Sequence, residues 1–173
     1  AQLVRQDGYL VVANIPYYIT SALIRHLLEA PRKPARLVLT VQQEVAERIA
    51  AVPGEMSLLA LSVQVYGRPA VVARIPAGAF FPAPKVDSAV LRVDLYPDPV
   101  IPRERLEAFF RLIKAGFSQK RKTLRNTLAS GLHLAPVEAA ARLQAAGIDP
   151  QRRAETLSLA EWKDLVEQFP EAV

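Results

Sequence analysis

The pattern of apolar and polar positions changes character along this chain. Residues 8–13 (GYLVVA) are an apolar run after a turn-favouring Asp7-Gly8 pair, which predicts a strand buried on both faces. The run stops at Asn14-Ile15-Pro16-Tyr17-Tyr18, where Pro16 lacks a ladder donor and pushes Ile15 toward extended backbone. Leu23, Ile24, Leu27 and Leu28 then recur at helical spacing, with Thr20 or Ser21 available as the cap and Pro31 and Pro34 as the stop. Residues 36–41 (RLVLTV) predict a second buried strand, and residues 44–51 (EVAERIAA) a second helix that closes near Pro53-Gly54. Such strand-helix alternation is the mark of an α/β fold, a parallel sheet covered by helices whose ligands lie outside the carboxyl ends of the strands.

Further on, Leu58, Leu61, Ser62 and Val65 have helical spacing, although their β-branched neighbours leave a strand open. Residues 70–75 (AVVARI) and 88–96 (SAVLRVDLY) predict two antiparallel strands at a sheet edge, joined by a proline-rich loop holding Phe80-Phe81-Pro82-Ala83-Pro84-Lys85. Pro97, Pro99 and Pro102 form a stiff linker, and a boundary is placed near residue 100. Past it the pattern is helical: residues 103–117, a basic segment over 120–129, 136–146 and 158–169, the last opening on the capping-box string Ser158-Leu159-Ala160-Glu161. No G-x-G-x-x-G or P-loop string follows the first strand, and the chain opens directly on that strand. It therefore reads as the second half of a larger domain, with roughly 100 residues expected upstream at 30 or more per βαβ unit.

Composition narrows the chemistry. The 173 residues include no cysteine and only two histidines, His26 and His133, which excludes disulfide scaffolds and thiolate chemistry and argues against any metal site. No apolar run reaches the roughly 18 residues of a membrane span, and the start lacks a signal-peptide pattern, so the chain reads as soluble and cytoplasmic. Net charge is +5, shared between the two halves, but Arg111, Lys114, Lys120, Arg121, Lys122 and Arg125 follow one another with no acidic residue between them. That cluster is suited to phosphate contact, with a solvated helix face as the plainer reading.

Two strings could carry a site. At the end of the first strand, the Asn14 carboxamide and a free carbonyl at Pro16 could accept the two hydrogens of an exocyclic amine, and Tyr17 offers a face to a planar ring. Holding both hydrogens turns the nitrogen lone pair toward an electrophile. The plainer reading is a strand-terminating turn with a core tyrosine. Phe80 or Phe81, in a loop stiffened by Pro76, Pro82 and Pro84, could stack on an extruded base; equally both rings could fill the core, and no more than one is expected to be free. Asp87 reads as a turn or backbone acceptor and Trp162 as core.

Taken together, these strings resemble the small-subunit ribosomal RNA adenine N6-dimethyltransferase family. Asn14-Ile15-Pro16-Tyr17 is similar to its N-[LI]-P-Y motif, and Phe80-Phe81-Pro82-Ala83-Pro84-Lys85-Val86-Asp87-Ser88-Ala89-Val90 to its F-x-P-x-P-K-V-D-S-x-V motif. Residues 42–48 (QQEVAER), 119–126 (QKRKTLRN) and 147–155 (GIDPQRRAE) resemble further segments of the family, so the likeness spans essentially the whole chain. It departs before Leu61-Ser62-Val63, where Leu58-Leu59 and Ala60 replace the family's Y-G pair.

The resemblance implies a partial Rossmann-like methyltransferase sheet over residues 1–100 and a small all-helical RNA- and ribosome-binding domain over 101–173. It implies transfer of methyl groups from S-adenosylmethionine to N6 of two adjacent adenosines near the 3′ end of small-subunit rRNA during ribosome biogenesis. Asn14 and the Pro16 carbonyl would hold the target amine, Tyr17 and Phe80 would sandwich the adenine, and Phe81 would turn to the core. Asn14 would also border the cofactor, whose main binding segment is expected to be missing, leaving this chain inactive by itself. Lys85, Lys120, Arg121, Lys122 and Arg125 would contact RNA. The expected partner is the small ribosomal subunit, with no metal, no membrane and a monomeric enzyme. An erythromycin-resistance-type enzyme of the large subunit and a noncatalytic ribosome-assembly module are the competing readings; Asp87 and the 119–126 segment favour the small-subunit enzyme over the large-subunit one.

Overall fold

The computed structural model describes residues 6–170. It has the α/β fold predicted by the alternation of elements, and its chain groups into two compact units, residues 1–50 with 62–98 and residues 51–61 with 99–173.

The first unit is built on a four-stranded sheet of order β1-β2-β4-β3. Its strands are β1 (Tyr9–Asn14), β2 (Pro34–Gln42), β3 (Gly67–Ile75) and β4 (Ser88–Leu95). β1 and β2 run parallel, linked through α1 (Thr20–Leu28); β4 pairs antiparallel with both β2 and β3. The period-two pattern of RLVLTV explains the core: Leu37, Leu39 and Val41 face one way, opposite Val93, Leu91 and Ala89 of β4, and all six are fully buried. Ile24 and Leu28 of α1 and Ala46 and Ile49 of α2 (Gln43–Ile49) are buried as well. Burying a Leu or Ile side chain of this kind is worth roughly 1.5–3 kcal/mol.

Two expectations fail here for identifiable reasons. β1 is not buried on both faces: Leu10 is 66% and Val12 76% exposed. Among the described residues β1 is an edge strand, and nothing packs on the face carrying these two side chains. Thr20 does not cap α1 either. A 3-10 turn over Tyr17–Ile19 comes first, Ile19 takes the cap position, and Thr20 is buried inside the helix.

The second unit is helical. It comprises α4 (Leu106–Gly116), α5 (Leu124–Gly131), α6 (Pro136–Ala145) and α7 (Leu159–Glu167) around Phe109, Leu112, Leu128, Leu143, Trp162 and Leu165, each fully buried. The helix α3 (Leu58–Gln64) carries the chain out of residues 51–61. Those residues, assigned from sequence to the first domain, group instead with the helical unit because Gly54 and Met56 donate their backbone N–H groups to the Glu155 carbonyl at 2.9 and 3.1 Å. Glycine is required where α4 ends: a Cβ on Gly116 would lie 2.5 Å from Cη2 of Trp162. Phe117 then stacks on the same indole, centroids 5.9 Å apart.

The capping box at α7 forms as its sequence predicts, with Ser158 Oγ accepting from the Glu161 N–H and the Glu161 carboxylate accepting from the Ser158 N–H. Arg152 completes this corner by donating to Glu161 through two nitrogens and to the Thr156 carbonyl at 2.8 Å. The Arg152 hydrogen bonds, with help from those of Ser158, hold the Glu161 carboxyl below the usual carboxylate range.

Candidate functional site

The carboxyl end of β1 opens into a cavity of about 330 Å³ lined by Asn14, Ile15, Pro16, Tyr17, Phe80, Pro82 and Pro84. The structure thus brings together the four residues singled out for base binding, Asn14, Pro16, Tyr17 and Phe80, although 63 positions separate Tyr17 from Phe80 in sequence. Its place follows from the strand order, since a parallel pair leaves its loops at one end and β4 enters the sheet at that same end.

Each lining residue is set by its local backbone. Asn14 is the last residue of β1, paired with Thr40 of β2, and its exposed carboxamide makes no hydrogen bond among the described residues. The Pro16 carbonyl is not wholly free, as the sequence suggested: it accepts from the Ile19 N–H at 3.2 Å, because the chain turns directly into the Tyr17–Ile19 turn. A carbonyl oxygen has a second lone pair, so one acceptor direction remains. Tyr17 is half-buried, and its hydroxyl shares a 2.6 Å hydrogen bond with Ser88 Oγ. Sequence reasoning missed Ser88, whose only signal was its place at the end of the second motif.

On the opposite wall, residues 76–87 form the proline-rich loop, with a 3-10 turn over Ala77–Ala79 and a cis peptide bond between Phe81 and Pro82. Phe80 is half-buried and lines the cavity, whereas Phe81 is fully exposed. This overturns the expectation that Phe81 turns to the core; the loop stands off the sheet and leaves no apolar cover for a second ring. Asp87 is the backbone acceptor the sequence suggested, its Oδ1 taking the Ala77 N–H at 2.8 Å. Nearby, Glu47 is held below the usual carboxylate range by the Gln43 side-chain amide and by Arg74.

The lining brings two aromatic rings, three prolines and the Asn14 carboxamide and Pro16 carbonyl acceptors around one open cavity. Its seven lining residues include no carboxylate and no cation. Among the described residues no group of three or more His, Asp or Glu side chains could hold a metal ion, and no helix is long and apolar enough to cross a membrane.

The cationic residues fall in both units. Lys85 is exposed in the loop of the first unit. In the second, Lys120, Arg121 and Lys122 are exposed in the turn between α4 and α5 rather than on a helix, and none of their side chains has an acidic partner among the described residues. Arg125 is half-buried, with Nε 3.4 Å from Asn126 Oδ1.

Comparison with known proteins supplies relatives. Residues 2–171 match the family model described as ribosomal RNA adenine dimethylase. The chain is 48% identical over 169 residues to ribosomal RNA small subunit methyltransferase A of Dehalococcoides mccartyi (strain CBDB1), covering 97% of this chain and 58% of that protein. To the protein of the same name from Moorella thermoacetica it is 46% identical over 164 residues, covering 93% and 56%. The chain therefore spans a little over half the length of these relatives. Its fold is similar to a dimethyladenosine transferase from Plasmodium falciparum (TM-score 0.80, 24% identity, 99% of this chain and 70% of that one). A 23S rRNA methyltransferase, ErmE, is also similar (TM-score 0.75, 24% identity, 96% and 67%).

Proposed function

Because the chain belongs to the ribosomal RNA adenine dimethylase family, we propose that its cavity at the carboxyl end of β1 receives an adenine extruded from small-subunit rRNA for methylation at N6. The observation that carries this reading is the convergence of Asn14, Pro16, Tyr17 and Phe80 on one open cavity. Tyr17 and Phe80 take the two faces of the base, with stacking worth about 1–3 kcal/mol against the cost of extruding it. The Asn14 carboxamide oxygen and the remaining lone pair of the Pro16 carbonyl accept the two N6 hydrogens. With both held, the nitrogen lone pair points out of the ring plane, and the groups that fix it are oriented before reaction.

S-adenosylmethionine supplies the methyl group, in keeping with the family, and Asn14 is the residue of this chain that borders it. The two relatives carry a small-subunit name, which favours that substrate over large-subunit RNA. Lys120, Arg121, Lys122 and Arg125, together with Lys85, contact RNA phosphates, an attraction independent of base sequence.

The test is tritiated methyl transfer from S-adenosylmethionine to unmethylated small ribosomal subunits. It is run with the 173-residue chain and with a chain extended to the length of the relatives, followed by nucleoside analysis. The reading predicts N6,N6-dimethyladenosine from the extended chain. RNA binding without transfer by that chain would favour an assembly module, and transfer only to large subunits would move the substrate.

A further inference from the structure

Two adjacent residues outside the base-binding set tie down both walls of the cavity. Ser88, the first residue of β4, has no solvent exposure and sits in register between Gln42 of β2 and Ile75 of β3. Its Oγ lies 2.6 Å from the Tyr17 hydroxyl, at the tip of the ring farthest from the backbone. Asp87 reaches the other wall. Its carboxylate accepts from the Ala77 N–H at 2.8 Å, and Ala77 opens the turn in which the Phe80 N–H donates back to the Ala77 carbonyl at 3.2 Å. The Asp87 carbonyl accepts from the Gln43 N–H at 3.0 Å, so the residue between these two bonds is itself fixed to the start of α2.

We infer that Asp87 and Ser88 are positioning residues that set the placement of the Tyr17 and Phe80 rings across the cavity. The inference rests on the base-binding reading above. A stacked base needs both faces at a defined separation, and each ring reaches the cavity from a segment that is otherwise weakly held. Tyr17 belongs to a three-residue 3-10 turn with no buried residue, and Phe80 to an exposed loop. A bond at the tip of Tyr17 fixes the tilt of its ring, and a charge-assisted bond at the base of the loop fixes where Phe80 leaves the sheet. Ser88 lies on a central strand, so the reference for both rings is the rigid part of the sheet.

The test is a double-mutant cycle in the extended chain. Tyr17→Phe and Ser88→Ala remove the same hydrogen bond from opposite sides, and Tyr17→Phe places the change at the half-buried partner, so it still reports if Ser88→Ala fails to fold. Each is expected to lower kcat for methyl transfer about three- to tenfold with little change in KM for the small subunit, and the double variant to be no worse than either single one. Asp87→Ala should give a similar loss and Asp87→Asn, which keeps an acceptor, should restore most of it. Fluorescence of RNA carrying 2-aminopurine at the target position should be less quenched in Tyr17→Phe than in the unaltered chain. Losses that multiply in the double variant, or wild-type kcat and quenching in Tyr17→Phe, would overturn the inference. Asn14→Ala separates the two levels: if it retains activity the base-binding reading itself has failed, and if it is inactive while Tyr17→Phe is normal only the positioning role has.

Discussion

Gly116→Ala places a methyl group where the structure has no room for one. The added Cβ would lie 2.5 Å from Cη2 of Trp162, about 1 Å inside an ordinary carbon contact. The obstacle is the edge of a fully buried indole, already stacked on Phe117, rather than the movable end of a flexible chain. Overpacking of this kind costs about 1–3 kcal/mol. Against it stands the helix propensity of alanine, up to ~1 kcal/mol in a helix interior and less at Gly116, the last residue of α4. The expected net loss is about 1–2 kcal/mol, and each ~1 kcal/mol moves Tm by roughly 4–8 °C in a domain of 60–100 residues. Trp162 is the sole tryptophan, so its fluorescence during urea unfolding reports the unit that contains Gly116. A Gly116→Ala chain as stable as the original or more so would refute the packing argument. A loss that stays the same when Trp162 is also changed to Leu, with unfolding of both backgrounds followed by circular dichroism, would refute its attribution to the indole.

Other consequences can be measured separately. Replacing Lys120, Arg121 and Lys122 together by Gln should weaken RNA binding and make the slope of log affinity against log salt shallower by about 2 to 3, and an unchanged slope would make the turn a solvated surface. Glu161 titrates below the usual carboxylate range in the folded chain, so its contribution is complete above that range and is lost as pH falls through the folded value. The fall of Tm on acidification should therefore be less steep in Glu161→Gln than in the unaltered chain, and equal slopes would remove Glu161 from the acid response. Among the described residues Leu10 and Val12 present an uncovered apolar face on an edge strand, and the 173-residue chain should self-associate through it. Changing both to Lys should shift sedimentation toward the monomer, and association that persists unchanged would place the contact elsewhere.

Much of this arrangement is legible in the sequence, and the parts that are not share a physical cause. RLVLTV and SAVLRVDLY predict their strands because each is a short apolar, β-branched run, and the alternation seen in the structure then sets which face is buried. The Ser158 to Glu161 string predicts its cap because that geometry is local. Asn14 and Tyr17 could be placed at a strand end because Pro16 must stop the ladder. What the pattern could not tell is whether cover exists for an apolar side chain, which is why Leu10, Val12 and Phe81 are exposed where burial was expected. It could not show the Gly54 and Met56 bonds to Glu155, which draw residues 51–61 into the helical unit from about a hundred positions away. Nor could it show that Tyr17 meets Ser88, since a contact across 71 positions leaves no periodic trace.

The central claim is that Asn14 holds the reacting amine, and Asn14→Ala in the extended chain tests it most directly. Methyl transfer to unmethylated small subunits and RNA binding are measured side by side. The account predicts that transfer is abolished while RNA affinity and its salt dependence stay close to those of the unaltered chain, because the carboxamide acts on the amine and not on the phosphates. Near-normal transfer by Asn14→Ala would contradict it.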